Sequence, residues 1–162
     1  MNKSLLNITD LRSVDLHTIL ELSKKIARGE CPQHFTDRTI ASLFYEHSTR
    51  TRVSFELAVK RLNLIHTHID IQQSSVAKGE TFLDTVLTLA AYGVDAFVIR
   101  HKEEGLMQQA RDALSNNCVI INAGEGMMAH PTQALLDIFP IKQCSKMLSE
   151  MKIVILGDIR HS

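Results

Sequence analysis

The chain has 162 residues, 44% of them hydrophobic and 22% charged, and its 18 basic and 18 acidic side chains leave a formal net charge of zero. That length holds one good core and the start of a second, and a neutral chain has no general attraction to nucleic acid or to a membrane surface, so any anion recognition must be local. Cys31, Cys118 and Cys144 are widely spaced and odd in number, which speaks against a disulfide framework or a zinc knuckle and fits a reducing cytoplasm; the N-terminus lacks the apolar core of a secretory signal and no run approaches the length that spans a membrane.

In chain order, an opening helix is expected over 10–28, with Leu16, Ile19, Leu20 and Leu22 near one face. Strands are expected at "TIASLFY" (39–45), "LIHTHID" (64–70), "VDAFVIR" (94–100), "NCVIINA" (117–123) and "KIVILGD" (152–158). Several are short and almost continuously apolar, as suits parallel strands covered on both faces. Helices fall between them. Phe55, Ala58, Val59 and Leu62 follow the 3.6-residue period, with Asn63 as a stop. Leu83, Val86, Leu87 and Ala90 repeat it, with Gly93 ending the helix. Two more are expected over 104–114 and 131–147, and Pro140 should kink or split the second. The succession predicts an α/β fold: a parallel open sheet with helices on both faces. The last strand and its glycine turn have no following helix to cover them. The expectation is a fragment, with 1–150 as one domain and 151–162 as the first strand of a second.

Ligands bind at the carboxyl ends of strands in such sheets. After 39–45 stands "EHSTRTR", opening a helix whose free N–H groups and partial positive charge favour a phosphate. Ser48, Thr49 and Thr51 add hydroxyls, and Arg50 and Arg52 add charged forks. A plain Ser/Thr cap beside solvated arginines is the alternative. Arg100 and His101 close the third strand, where Arg100 is either held by the strand or reaching for water. The fourth strand runs into "NAGEGMMAHPTQ", whose glycines allow close backbone approach. Pro131 suits a first helical position and puts His130 at the cap and Gln133 one turn in. His130 could donate to a developing oxyanion and Gln133 could read a donor and an acceptor, or the two are a capping imidazole and a surface amide. The polar loop 72–80 carries Lys78, a ligand or a solvated lysine, and Glu80, which suits a helix start or could orient an arginine. His66 and His68 share a strand face, but the further ligands of a metal-dependent hydrolase are missing from the sequence.

"FYEHSTRTR", "SSVAKGETFLDT", the Arg100–His101 pair and "NAGEGMMAHPTQALLD" together resemble, in order and over essentially the whole chain, the catalytic chains of the aspartate carbamoyltransferase family. Glu46 and the K-G-E-T form resemble the aspartate rather than the ornithine branch, which tends to carry a lysine at the Glu46 position. The resemblance implies two α/β domains, the first for carbamoyl phosphate and the second mainly for aspartate, with "KIVILGDIRHS" opening the second. It implies carbamoyl transfer to the aspartate amine in pyrimidine biosynthesis, with no metal, redox cofactor or covalent intermediate required. By resemblance, Ser48, Thr49, Arg50 and Thr51 hold the phosphate. Thr51, Arg100 and His130 donate to the carbamoyl oxygen, and Gln133 reads the carbamoyl nitrogen. Ser74 and Lys78 complete the site of a neighbouring subunit in a cytoplasmic homotrimer. A regulatory chain or a dihydroorotase partner is left open, and nucleic acid and membrane are not expected as partners.

Overall fold

The computed structural model describes residues 4–30, 34–69, 79–114, 118–144 and 151–157. Among them are four parallel strands, β1 (Thr39–Phe44), β2 (Ile65–Ile69), β3 (Ala96–His101) and β4 (Val119–Glu125), hydrogen-bonded in the order β2-β1-β3-β4. The helices are α1 (Ser13–Ala27), α2 (Thr49–Arg61), α3 (Phe82–Ala91), α4 (Leu106–Ala113) and α5 (Pro131–Cys144). This is the expected α/β architecture.

The strands alternate their side chains between two buried layers. Ala41, Leu43, Phe97, Ile99 and Ile120 face a core completed by Phe82 and Val86 of α3 and Met107 and Ala110 of α4. Ile40, Val98 and Ala123 face Val59 of α2 on the other side, with Phe44 and Phe55 packed against them. Both faces of β1, β3 and β4 are thus largely dry, which is why those strands read as nearly continuous apolar runs, whereas the edge strand β2 is partly exposed.

Several boundaries move for local reasons. The opening helix does not begin at residue 10. Asn7 and Asp10 close a one-turn 3-10 helix, Ile8–Asp10, and the Asp10 carboxylate accepts the Asn7 N–H at 2.7 Å. The chain then re-enters a helix at Ser13, where Asp15 accepts the Arg12 N–H. Only Leu20 of the four expected apolar positions is fully buried, and Leu22 is exposed. In α3 the buried face is Phe82, Thr85 and Val86, while Leu87 is exposed. Asn63 stops α2 with a φ of 53°, as its short polar side chain permits, and Gly93 follows α3 with a φ of 95°. Pro140 does not split α5, which runs unbroken from Pro131 to Cys144. Residues 145–147 of the expected helix lie outside the described residues.

The fifth expected strand is not observed: residues 151–157 form no strand, and Ile153, Val154, Ile155 and Leu156 are exposed. None of the four strands pairs with this segment, and a strand without a partner has no ladder for its backbone groups. Among the described residues, no helix is long and apolar enough to cross a membrane.

Candidate active site at three strand ends

β1, β3 and β4 are neighbours in the sheet, so their carboxyl ends open side by side. Phe44 is in register with Arg100, and the Tyr45 N–H donates to the Arg100 carbonyl at 2.9 Å. His101 is in register with Glu125, beyond a bulge after Ile99. Each strand end therefore delivers its loop to the same edge.

The first loop turns directly into α2. Ser48 is its N-cap, extended at φ −153° and ψ 94°, yet its hydroxyl makes no cap hydrogen bond. No acidic residue stands in the first turn, unlike α1 and α3, which carry Asp15 and Asp84 there. An N-terminus that is neither capped nor neutralised keeps its N–H groups and its dipole for an outside anion. The two arginines separate in role. Arg52 Nε lies 3.5 Å from Glu56 Oε1, one turn along the helix. Arg50 is exposed, and among the described residues no carboxylate pairs with it.

Arg100 is the hub of the second loop. Its Nε donates to Glu46 Oε2 at 3.2 Å, its Nη1 reaches the Ala123 carbonyl at 3.4 Å, and the same Nη1 lies 3.3 Å from His130 Nε2. Glu46 is two residues before the α2 cap, so this ion pair ties the phosphate-suited helix end to the β3 end. His101 points the other way, into the core. Its ring packs against Tyr45 and Phe82 with centroids 4.6 and 5.6 Å apart, and its Nδ1 accepts the Glu103 N–H at 2.9 Å. Adjacent strand residues face opposite sides, so the Arg100–His101 pair divides between cleft and core.

His130 caps α5 through its backbone: its carbonyl accepts the Gln133 and Ala134 N–H groups at 3.0 and 3.1 Å. Its Nδ1 lies 3.3 Å from the Thr132 hydroxyl. Burial first, and the Arg100 charge second, hold the His130 pKa below the usual imidazole value, so the ring is neutral near pH 7. Gly124 makes this packing possible. Its φ is +128°, and an added Cβ would stand 2.9 Å from Arg100 Nη1 and 3.4 Å from His130 Cδ2.

Arg100 and His130 are thus in contact, at the edge where Ser48, Thr49, Arg50 and Thr51 open α2. The Gln133 amide is not with them; its Nε2 donates along the helix to Asp137 Oδ1 at 2.9 Å. Ser74 and Lys78 lie outside the described residues. The carboxylate that orients Arg100 is Glu46, not Glu80. The β1–β3 adjacency that brings it there has no local signature in the chain. Thr132, inside the H-P-T-Q motif, is also brought to the site, against the His130 ring. His66 is engaged with Ser42, Nε2 to Oγ 2.9 Å, and among the described residues no cluster could hold a metal ion.

Residues 3–143 match the family model for the carbamoyl-phosphate-binding domain of aspartate/ornithine carbamoyltransferases. The chain belongs to the aspartate/ornithine carbamoyltransferase family. Within that family it is 44% identical over 160 residues to the aspartate carbamoyltransferase catalytic subunit of Legionella pneumophila (strain Corby), covering 99% of this chain and 54% of that one. The catalytic subunit of Caldicellulosiruptor bescii is 44% identical over 167 residues, covering 99% and 53%. Among solved structures, aspartate transcarbamoylase of Trypanosoma cruzi with carbamoyl phosphate and aspartate superposes with a TM-score of 0.78 at 34% identity, covering 88% of this chain and 44% of that one. The catalytic subunit of M. jannaschii aspartate transcarbamoylase gives 0.76 at 37% identity, over 87% and 47%. The chain therefore spans about half the length of the carbamoyltransferases it matches.

Proposed function

We propose that this chain is the carbamoyl-phosphate half of an aspartate carbamoyltransferase. The protein would transfer the carbamoyl group of carbamoyl phosphate to the amino group of L-aspartate, giving N-carbamoyl-L-aspartate and phosphate. The amine nitrogen attacks the carbamoyl carbon, a C–N bond forms, the C–O bond to phosphorus breaks, and the nitrogen gives up a proton. Such a reaction needs positioning and charge stabilisation. The uncapped α2 N-terminus with Ser48, Thr49, Arg50 and Thr51 takes the phosphate. Thr51, Arg100 and neutral His130 donate to the carbamoyl oxygen as it gains charge. Gln133 reads the carbamoyl nitrogen once its amide leaves Asp137. Ser74 and Lys78 are contributed across a subunit boundary in a homotrimer. Residues 1–150 make up this domain with its connecting helix, and 151–162 begin the aspartate-binding domain.

The observation that carries the reading is Arg100, held by Glu46 and in contact with His130 beside an unneutralised helix N-terminus. It also favours aspartate over ornithine as the second substrate, because the lysine typical of the ornithine branch at position 46 could not pair with Arg100. The test is a product assay on the protein that carries this chain, with carbamoyl phosphate and either amino acid. Carbamoyl aspartate is expected from aspartate. Citrulline from ornithine would move the protein to the other branch, and neither product would leave a phosphate-binding module without catalysis.

A further inference from the structure

We propose that Arg100 sets the tautomer of His130, with the Thr132 hydroxyl following it, and that a carbonyl-bearing acyl phosphate reverses that tautomer when it binds. The inference rests on the carbamoyl-phosphate reading above and concerns what the site must do to accept its ligand. An arginine guanidinium has only N–H donors. With Arg100 Nη1 at 3.3 Å from His130 Nε2, that nitrogen must be the acceptor of the ring. A neutral imidazole then carries its hydrogen on Nδ1, where the Thr132 hydroxyl oxygen, 3.3 Å away, accepts it. Burial and the adjacent Arg100 charge disfavour the cation, which would put two N–H donors face to face.

That tautomer cannot serve the ligand. A carbonyl oxygen entering between Arg100 and His130 needs an N–H from both, so Nε2 must gain the hydrogen and Nδ1 must lose one. The ring charge is unchanged, and solvent relays the proton. Thr132 then turns its hydroxyl from acceptor to donor toward Nδ1. Serine and threonine can serve both states; valine, of the same shape, serves neither. In this geometry Arg100 and His130 satisfy each other, and a ligand carbonyl would replace that contact with two of its own.

The experiment is long-range nitrogen–proton correlation NMR of the His130 ring in this chain, free and with phosphonoacetamide or inorganic phosphate. Phosphonoacetamide offers a phosphonate and a carbonyl; phosphate offers no carbonyl. The expected result is an Nδ1–H ring in the free chain and with phosphate, and an Nε2–H ring with phosphonoacetamide. Arg100→Met, which removes the donor facing Nε2, should abolish the Nδ1–H preference of the free chain and weaken phosphonoacetamide about tenfold or more, the worth of one hydrogen bond in a partly buried site, whereas Thr132→Val should leave the Nδ1–H ring in place. An Nε2–H ring in the free chain overturns the proposal, as does an Arg100→Met variant whose free ring keeps its hydrogen on Nδ1. Amide shifts at residues 49–52 separate the two readings. If they respond to phosphonoacetamide while the ring does not reverse, this inference alone fails. If they respond to neither probe, the carbamoyl-phosphate reading fails and the exchange with it.

Discussion

Arg100 and Glu46 stand 54 positions apart in sequence, yet Arg100 Nε lies 3.2 Å from Glu46 Oε2. The pairing follows from the sheet: β1 and β3 are adjacent, and the residues just past Phe44 meet the strand position occupied by Arg100. Both side chains are partly shielded from water, at 24% and 33% exposure, so the pair holds a geometry better than a surface ion pair would. Glu46 takes Nε and leaves the Nη1 edge for Ala123 and His130.

A lysine cannot reproduce that fork. Arg100→Lys keeps the charge but loses the planar set of donors. In the proposed reaction, turnover by the protein carrying this chain should fall about 100-fold or more, the scale set by losing one oxyanion donor. Steady-state kinetics at saturating substrates is the check, and turnover within threefold of the parent (roughly 0.7 kcal/mol) would remove Arg100 from the reacting centre.

Arg50 and Arg52 should behave differently although they flank the same threonine. Arg52 is already occupied by Glu56, whereas Arg50 is exposed at the open helix end. Arg50→Ala should weaken phosphate binding about 100-fold, near the upper end for a charge-assisted hydrogen bond. Arg52→Ala should change it by a few-fold at most. Calorimetric titration of the two variants decides the matter; equal losses would show that the whole basic cluster, not Arg50, holds the anion.

Gly124→Ala should fold less stably and lose the site. The left-handed backbone is strained for any residue with a Cβ, by about 1–3 kcal/mol, and the methyl would push Arg100 Nη1 from its 2.9 Å approach. A lowered melting temperature together with lost anion binding is expected. Retained binding with only a stability loss would mean that the Arg100–His130 contact is dispensable.

Stability should fall as pH drops through about 6.5, the ordinary histidine value. His66, His101 and His130 all have lowered pKa values in the fold, chiefly through burial. The unfolded chain therefore binds their protons first, and the stability held above that value is lost between the unfolded and the lower folded pKa values. Asp15, Glu21 and Asp95 are also lowered, by hydrogen bonds from Arg12, from Lys24 and from the Thr39 N–H respectively. Their contributions are lost in a separate acidic window, below about pH 4. Urea midpoints in phosphate-free buffers should show both steps. His101→Asn, which cannot take up a proton, should flatten the first. A midpoint independent of pH between 7.5 and 5.5 would contradict the histidine assignment.

Much of the fold is legible in the sequence because both faces of β1, β3 and β4 are largely buried. Runs such as that of Phe97, Val98 and Ile99 signal strands whatever their partners, and Asn63 and Gly93 mark helix ends by conformations that few residues adopt. Ser48 through Thr51 are legible as an anion-suited helix start for the same local reason. What depends on strand order is not legible. Nothing near Glu46 shows that Arg100 will lie beside it, and nothing in "VDAFVIRH" shows that Arg100 faces the cleft while His101 packs on Tyr45 and Phe82. The strand expected at 152–158 rests on apolar content and on the family resemblance, not on any partner within the sequence. Residues 151–157 satisfy that pattern without pairing, since a strand is a relation between segments rather than a property of one. Gln133 is a further case, where an intrahelical hydrogen bond to Asp137 takes an amide that the motif alone points toward the cleft.

The most direct test of the central claim is calorimetric titration of this chain with phosphate and with carbamoyl phosphate, beside an assay for carbamoyl aspartate. The account predicts weak, saturable binding of both anions, abolished by Arg50→Ala, because the uncapped α2 end and Arg100 are present in this chain. It predicts no product from this chain alone, because the proposal assigns aspartate to a second domain, and weak binding, because it assigns to that domain the closure that excludes water. Failure to bind either anion at high concentration would contradict the phosphate cradle, and full turnover by the purified chain would contradict the division of the site between two domains.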